Sequence, residues 1–552
     1  MMVLKSCRTW FLTLTLLFAL VMVSSARAQA DSDVLRVAVT AFQAEVFDPT
    51  LHSTLGAYQY LIYDVLVNLN SQGTALDPDT SLAYEWEASD GNKVWTFHLR
   101  DDVYWWDGEQ VTAEDVKFSV IRYMRPETRA SRVDSIESAL GGIDEAEERI
   151  EVLDDHTVRF NLKEAIFYWP EMLSPFWSSA GVVVPKHWVD ENGEQLLSTD
   201  PMGSGPYRLV ESVAGNMQRF EAVNGHAFRE PTYESIELLQ VAEESTRLAM
   251  LQTGEVDLAE MSVERLPQLR EAGMEIVRKP SGILWSILFI EPYQDAVLAK
   301  REVRRAIMMA IDKQTLNEAF FDGVAELTND GGNIAQVGEP SVRRDVVPYD
   351  PEAARGIVAR EVPEDYELRI HAVIRGPIKM DHVEAIAAML TNVGFDVEIG
   401  LAADYSTFRG NWGEGTAGPG LYLKDARRRL LYYPSIYAGS PENGGRHSVI
   451  QVPPGPETRE VDPAIAPEDL ETLRAFDEEL EALSSASNWD EYWQTFSQIM
   501  DSAVDQIAPG SGLFFTPAIF AARPEVLPEW PVELGTTAGL WLPNLAEEPV
   551  SE

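Results

Sequence analysis

The sequence predicts an exported protein built from two or more α/β or α+β domains. Three observations carry this. Helix and strand signals alternate along the chain with no repeat of fixed period. About 520 residues remain after a leader is removed, more than single cores usually support. The first thirty residues have the layout of a secretory signal: Lys5 and Arg8, an uncharged and mostly apolar run from Thr9 to Val23, then Ser24-Ser25-Ala26-Arg27-Ala28 with small residues at the cleavage positions.

The apolar run is short for a membrane span, which needs about 20 residues, so an uncleaved anchor is the weaker reading. Cleavage after Ala28 or Ala30 fits equally well. The chain's only cysteine, Cys7, precedes the run. A lipid-anchored precursor needs its cysteine just after it, so a soluble, released protein is expected. Such a mature chain has no disulfide, no thiolate nucleophile and no thiolate metal site. Removing residues 1–28, with Lys5, Arg8 and Arg27, takes the net charge from −45 to −48. That excludes nucleic acid, which needs a basic face, and disfavours anionic membranes. The charge reads as solubility or adaptation to a salty medium, with stability expected to fall at low salt.

The elements follow in order. Val94–Arg100 has the β-branched and aromatic make-up of a strand, Asp101-Asp102 turns, and Val103–Trp106 returns. Asp107-Gly108 is a turn. Thr112-Ala113-Glu114-Asp115 resembles a capping box opening a helix that buries Val116, Val120 and Tyr123. His156–Leu162 alternates as a half-buried strand. Pro206–Val210 starts another after Gly203-Ser204-Gly205. Ser245–Gln252 reads as a helix closed by Gly254. Ile283–Ile290 is a buried strand. Val303, Ile307 and Ile311 share a helical face, as do Val383, Ile386, Ala387 and Leu390, with Gly394 beyond the end. Trp489, Trp493, Phe496, Met500 and Val504 form a long apolar stripe at helical spacing, read as core. Segments 328–344, 410–420 and 440–469 read as surface loops or mobile flaps.

Catalytic signals are weak. There is no G-x-S-x-G elbow, no phosphate loop and no H-x-x-x-H pair. His371 and His382 read as ordinary histidines. With 89 acidic residues, no glycosidase-like pair stands out. Aromatic residues are abundant at Trp105-Trp106, Phe167-Tyr168-Trp169, Phe176-Trp177 and Trp285. Most are expected in the core and the rest along a ligand cleft.

Longer blocks carry a resemblance. Trp86-Glu87-Ala88-Ser89-Asp90-Gly91 is followed by Trp95–Arg100, Trp106-Asp107-Gly108 and Thr112–Ser119. This is similar to the W-x-x-S-x-D-G, T-F-x-L-R, D-G and T-A-E-D-V-x-F-S signature of the family 5 extracytoplasmic solute-binding proteins of peptide and nickel ABC importers, with the first spacing tighter by one. Gly203–Tyr207 resembles G-T-G-P-Y, Leu251–Ala259 resembles L-x-x-G-E-x-D-L, Val303–Lys313 resembles V-R-x-A…A-I-D-[RK], and Tyr349–Arg355 resembles Y-D-P-x-x-A-[RK]. The resemblance spans about Val34 to Leu542, and its motifs read as turn and helix-start markers.

The resemblance implies a type II, two-lobed periplasmic binding protein with hinge-linked lobes and an extra subdomain. Lobe I would comprise 31–60, 187–280 and 512–552, the inserted subdomain 61–186, and lobe II 281–511. It further implies a monomer without enzymatic activity or cofactor, working in the periplasm with inner-membrane ABC permease subunits. Peptide binders of the family commonly carry a W-x-x-D-Y-like stretch whose aspartate holds the peptide amino group. Here that place is taken by Leu421-Tyr422-Leu423-Lys424-Asp425-Ala426-Arg427-Arg428-Arg429. Asp425 is a substitute for the aspartate, or Lys424 and its basic neighbours hold an acidic ligand, or the run is a solvated helix or loop. Trp285, Arg375 and Trp412 complete the candidate ligand contacts. Trp285→Ala is expected to weaken binding with apo stability nearly unchanged. The expected ligand is a peptide or peptide-like solute; an oligosaccharide is the alternative, and a secreted hydrolase is the rival of another class.

Overall fold

The computed structural model describes residues 34–327, 347–427, 486–495, 498 and 510–524, apart from stretches at 43–44, 52–58, 71–74, 131, 176–177, 232, 291–294, 375–377, 404–406, 409–410 and 412–415. The leader, Phe176-Trp177, segments 328–344 and 440–469 and residues 410 and 412–415 lie outside the described residues. So do Phe496, Met500 and Val504 of the apolar stripe.

Eleven strands among the described residues form one mixed sheet. Its path runs β15 (Asp396–Leu401), β14 (Glu367–Ala372), β16 (Gly420–Arg427), β12 (Glu275–Ile290), β17 (Gly510–Ala522), β11 (Leu258–Met261), β1 (Val34–Val39), β10 (Ser235–Gln240), β9 (Met217–Ala222) and β8 (Tyr207–Val213). Off this path, β13 (Glu326–Leu327) pairs with β17. The buried strand expected at Ile283–Ile290 is thus the upper half of a longer one. Its partner β17 spans 13 residues to the 16 of β12, and the two run through both halves of the sheet.

A second sheet is ordered β4 (Ala83–Ser89), β5 (Val94–Leu99), β7 (Thr157–Asn161), β6 (Ile150–Asp154). The short pair β2 (Asn68–Leu69) and β3 (Leu76–Asp77) lies beside it in sequence. This sheet has its own core: Phe97, Val158, Phe160, Trp169 and Ile150 are all fully buried. The helix Ala113–Tyr123 covers it, and Val116, Val120 and Tyr123 are buried as their spacing demands. Asp115 reaches back to the Thr112 N–H at 2.9 Å, closing the capping box. One expected strand does not form. Val103 and Trp105 alternate inward, but the chain folds back locally through the Asp107-Gly108 turn, and Tyr104 makes only an isolated bridge to Gln110. β5 pairs with β4 and β7 instead.

The remaining helices start and stop where their end residues dictate. Asp350 accepts the Ala353 N–H at 2.9 Å and Pro351 opens the helix Pro351–Glu361. Gly254 closes Glu244–Thr253 at φ 76°. Arg301–Met309 buries Val303 and Ile307, and Met380–Asn392 buries Val383, Ile386, Ala387 and Leu390.

The joint between the small sheet's unit and β8 is built on Gly203-Ser204-Gly205. A Cβ on Gly203 would lie 1.9 Å from the Ile62 carbonyl oxygen, and one on Gly205 2.4 Å from that of Leu61. Only glycine permits this approach, in which the Gly205 N–H donates to Ile62 O and the Trp106 indole donates to Gly205 O at 2.9 Å. Beneath it Asp64 is buried among Ser204 (2.8 Å), His226 (3.1 Å) and Arg229. Burial opposes ionisation of Asp64, but Arg229 and His226 outweigh it and hold the carboxyl well below its usual range.

Candidate ligand cleft

Strand directions place a cleft. β1, β10 and β11 are mutually parallel or share β1 as parallel partner, and β11 is antiparallel to β17, which is antiparallel to β12. These strands therefore run with β12. β16 is antiparallel to β12, and β14 and β15 run parallel to β16. They run against β12. The first set sits beside the lower half of the β12–β17 pair, where Met261 aligns with Ile519. The second sits beside the upper half, where Arg427 aligns with Ile283. The carboxyl ends of both sets consequently point toward the middle of the long pair and toward each other. In open α/β sheets the crevice outside the carboxyl ends is where ligands are held.

The middle of the long pair is irregular. Lys279 faces Ala518 and Ile283 faces Thr516, so Pro280, Ser281 and Gly282 lie opposite Pro517 alone. Proline has no N–H to give to a ladder, so Pro280 and Pro517 interrupt it from both strands. A second register shift separates Trp285 from Ser286. The two halves are thus connected through a weakened stretch of ladder at the level of the facing carboxyl ends.

Two ion pairs span the halves near this stretch. Glu264, three residues past β11, pairs with Lys379 at the start of the helix Met380–Asn392. Burial works against ionisation of Glu264, yet the Lys379 ammonium keeps its carboxyl below the usual range. Arg270 pairs with Asp322 at the end of the helix Lys313–Phe321. Both pairs are substantially exposed and contribute little to stability.

The expected contact residues fall into three groups. Trp285 is 1% exposed. Its ring packs on Phe321 (5.3 Å), His382 (4.9 Å) and Phe514 (5.5 Å), and its indole N–H donates to Thr516 Oγ1 at 3.1 Å. It is a core residue of the upper half, not a ring offered to solvent, and the expectation of an unchanged apo stability on its removal is corrected accordingly. The strand periodicity that buried Ile287 and Phe289 on one face buries Trp285 with them. Lys424 and Asp425 lie in β16, and their backbones face Ser286 and Trp285. The run expected as a basic helix or loop is therefore a strand over residues 420–427, two to three residues from its carboxyl end. Arg375 and Trp412 lie outside the described residues; the chain enters 375 three residues after β14 ends, past the exposed Ile374.

The two histidines do not share a site. His371 donates from Nε2 to the Gly418 carbonyl at 2.9 Å, and burial lowers its pKa. His382 accepts the Lys379 backbone N–H at 3.1 Å, and burial, with Lys379 beside it, lowers its pKa too. Both are held toward the neutral form. Among the described residues no cluster of metal-binding side chains occurs, and no helix is long and apolar enough to cross a membrane. The strand polarity and the proline interruption were not foreseen from sequence, although Pro280, Gly282 and Pro517 were there to be read.

Comparison with known proteins agrees with this geometry. Residues 77–420 match the bacterial extracellular solute-binding proteins, family 5 (middle region). The di/tripeptide-binding protein 1 of Pseudomonas aeruginosa is 26% identical over 411 residues, covering 69% of this chain and 71% of its own. The periplasmic binding protein DppA of Helicobacter pylori, solved with the peptide STSA, has a TM-score of 0.65 at 18% identity, over 93% of this chain and 97% of its own. NikA from Brucella suis, solved with Fe(III)-EDTA, has a TM-score of 0.71 at 19% identity, over 89% of this chain and 96% of its own. With most of its length inside the match and a sheet split into two lobes, the chain belongs to the family 5 bacterial extracellular solute-binding proteins.

Proposed function

We propose that the chain captures a peptide or peptide-like solute between its two lobes and delivers it to the permease of an ABC importer. The observation that carries this is the pair of facing carboxyl-end rims, which in the sheet meet across the β12–β17 pair. The peptide-binding relatives favour a peptide as cargo. The polypeptide would act in the periplasm as a monomer after loss of residues 1–28, with no chemical change to the solute.

The proposed domain division meets the sheet's interruption at one of its two hinge boundaries. Residues 31–60, 187–280 and 512–552 form lobe I, 281–511 lobe II and 61–186 the inserted subdomain. The 280/281 boundary falls at the Pro280–Gly282 interruption, and the 511/512 boundary falls within the upper half of β17. Closure is a two-state equilibrium: a solute touching both rims favours the closed state only by its differential affinity for it. Lys424 and Asp425 lie near the carboxyl end of β16, at the lobe II rim, and Arg375 follows β14 by three residues in the sequence. There Asp425 would hold a peptide amino group, and Arg375 or Lys424 its carboxylate.

The test is isothermal titration with dialanine and trialanine, with maltotriose and cellotriose in parallel. Saturable binding of a peptide, abolished by acetylating its amino group, supports the proposal. Binding of the sugars alone overturns it.

A further inference from the structure

Glu264 and Lys379 join the two carboxyl-end rims. Glu264 lies three residues past β11, in the half whose strands run with β12. Lys379 follows β14 in the other half and immediately precedes the helix Met380–Asn392. The Glu264 carboxylate pairs with the Lys379 ammonium.

Both partners are held by their own half. Val263 and Leu266 flank Glu264 and are 7% and 0% exposed, and Ile378 beside Lys379 is 1% exposed. Glu244 fixes the loop after β11 by accepting the Ser262 N–H and the Arg265 Nε–H. Ser262 and the Glu264 backbone N–H also hydrogen-bond the Glu264 carboxylate, so it is oriented before it meets Lys379. On the other side, His382 Nδ1 accepts the Lys379 backbone N–H at 3.1 Å. That bond secures the helix start without using the Lys379 side chain. The carboxylate thus meets an ammonium at a helix N-terminus, whose partial positive charge favours an anion. Next to this pair, Val263–Arg265 contacts the helix Lys313–Phe321 of the other half. Arg270–Asp322 crosses between the halves in the opposite sense, base to acid. Opposite polarities at two points favour one alignment of the halves.

We propose that the Glu264–Lys379 pair is a clasp between the two rims that favours the closed molecule and loosens as salt rises. It rests on the reading that the two lobes open and close around a solute. The side chains are 44% and 56% exposed, so the pair and the helix end together shift an equilibrium by about 3- to 10-fold. That is small against unfolding, but it matters between two conformations of which the minor one is populated at about 0.1–10%. Screening over about 3 Å at 1 M salt, against about 10 Å at 0.1 M, removes most of an exposed pair's attraction. Salt also relieves the general repulsion of a chain with net charge −45, which acts in the other direction. The clasp is therefore read from the difference between parent and variant at each salt concentration.

Spin labels are placed on the full chain at Glu221→Cys in lobe I and Glu352→Cys in lobe II, whose parent side chains are 52% and 85% exposed, with Cys7→Ser. Double electron–electron resonance records their distances without solute at about 0.1 M and about 1 M potassium chloride. At the lower salt the ratio of short to long distances should be about 3- to 10-fold higher in the parent than in Glu264→Gln. Lys379→Glu, which sets two carboxylates together, should be no more closed than Glu264→Gln. Glu264→Lys combined with Lys379→Glu should recover most of the parent's ratio. At the higher salt the four proteins should converge. Circular dichroism confirms that each is folded. A folded Glu264→Gln protein with the parent's distribution at the lower salt overturns the clasp, as does a folded double variant no more closed than Lys379→Glu alone. Trialanine added to the same labelled proteins separates the clasp from the cargo. Shortening by trialanine with parent and Glu264→Gln alike removes the clasp and leaves closure around a peptide standing. A difference between parent and variants without any response to peptides keeps the clasp and removes the peptide.

Discussion

Removing the Trp285 ring separates a core residue from a ligand platform. The side chain is 1% exposed, lies against Phe321, His382 and Phe514, and supplies the hydrogen bond to Thr516, itself 6% exposed. A tryptophan buries roughly 150–250 Å², worth about 4–6 kcal/mol at about 25 cal/mol per Å² as an upper bound. Alanine keeps the Cβ, and large-to-small changes of this kind cost about 3–5 kcal/mol. Leaving the Thr516 hydroxyl without its donor adds about 1 kcal/mol. Trp285→Ala should therefore destabilise the apo protein by about 4 kcal/mol, lowering the lobe II transition by roughly 8–16 °C. Trp285→Phe, which keeps most of the packing, should cost about 1–2 kcal/mol. Differential scanning calorimetry and urea unfolding of the solute-free protein read both. A loss under about 1 kcal/mol for Trp285→Ala, with solute affinity abolished, would refute the placement of this ring in the core.

Three other outcomes are expected. Asp64→Asn leaves Arg229 buried without its counter-charge and should cost about 3–5 kcal/mol by denaturant unfolding; because the Asp64 carboxyl is depressed below 3.8, its contribution is present above that value and lost as pH falls below it, so the variant should show a shallower acid-induced loss than the parent. Gly203→Ala drives a Cβ to 1.9 Å from the Ile62 carbonyl, and thermal unfolding should show a loss of at least about 1–3 kcal/mol, whereas Gly215→Ala, with open space around it, should show only the cost of its positive φ. Asp425→Asn should weaken trialanine binding at least about 10-fold by titration calorimetry with the apo melting temperature little changed; equal affinities would remove Asp425 from the site.

Much of the local structure was legible because local rules decided it. The Thr112/Asp115 box, the Asp350-Pro351 start, the Gly254 end and the alternation of Val158 and Phe160 are each fixed by a few neighbouring residues, and each appears in the structure. The fold class was legible through long signature blocks whose roles are turns and close approaches, as Gly203 and Gly205 show. What failed were inferences about side-chain environment. Trp285 was read as cleft-facing from its place in the chain, but a strand's two faces are distinguished only by tertiary packing. Val103–Trp106 had the alternation of a strand, but it folds back on residues 109–111 and pairs with them only through an isolated bridge. The charge run after Leu421 reads as solvated by composition, yet cross-strand pairing with β12 makes its first part a strand. The contact of Trp489 with Glu171 joins residues 318 apart, and no local pattern announces it.

The central claim, that the facing rims enclose a peptide, is tested most directly by native and denaturing mass spectrometry of the protein purified from its native host. The account predicts a retained mass of a few hundred daltons that leaves on denaturation and fragments into amino-acid residues. A retained oligosaccharide, or steady turnover of an added peptide by stoichiometric protein, would contradict it.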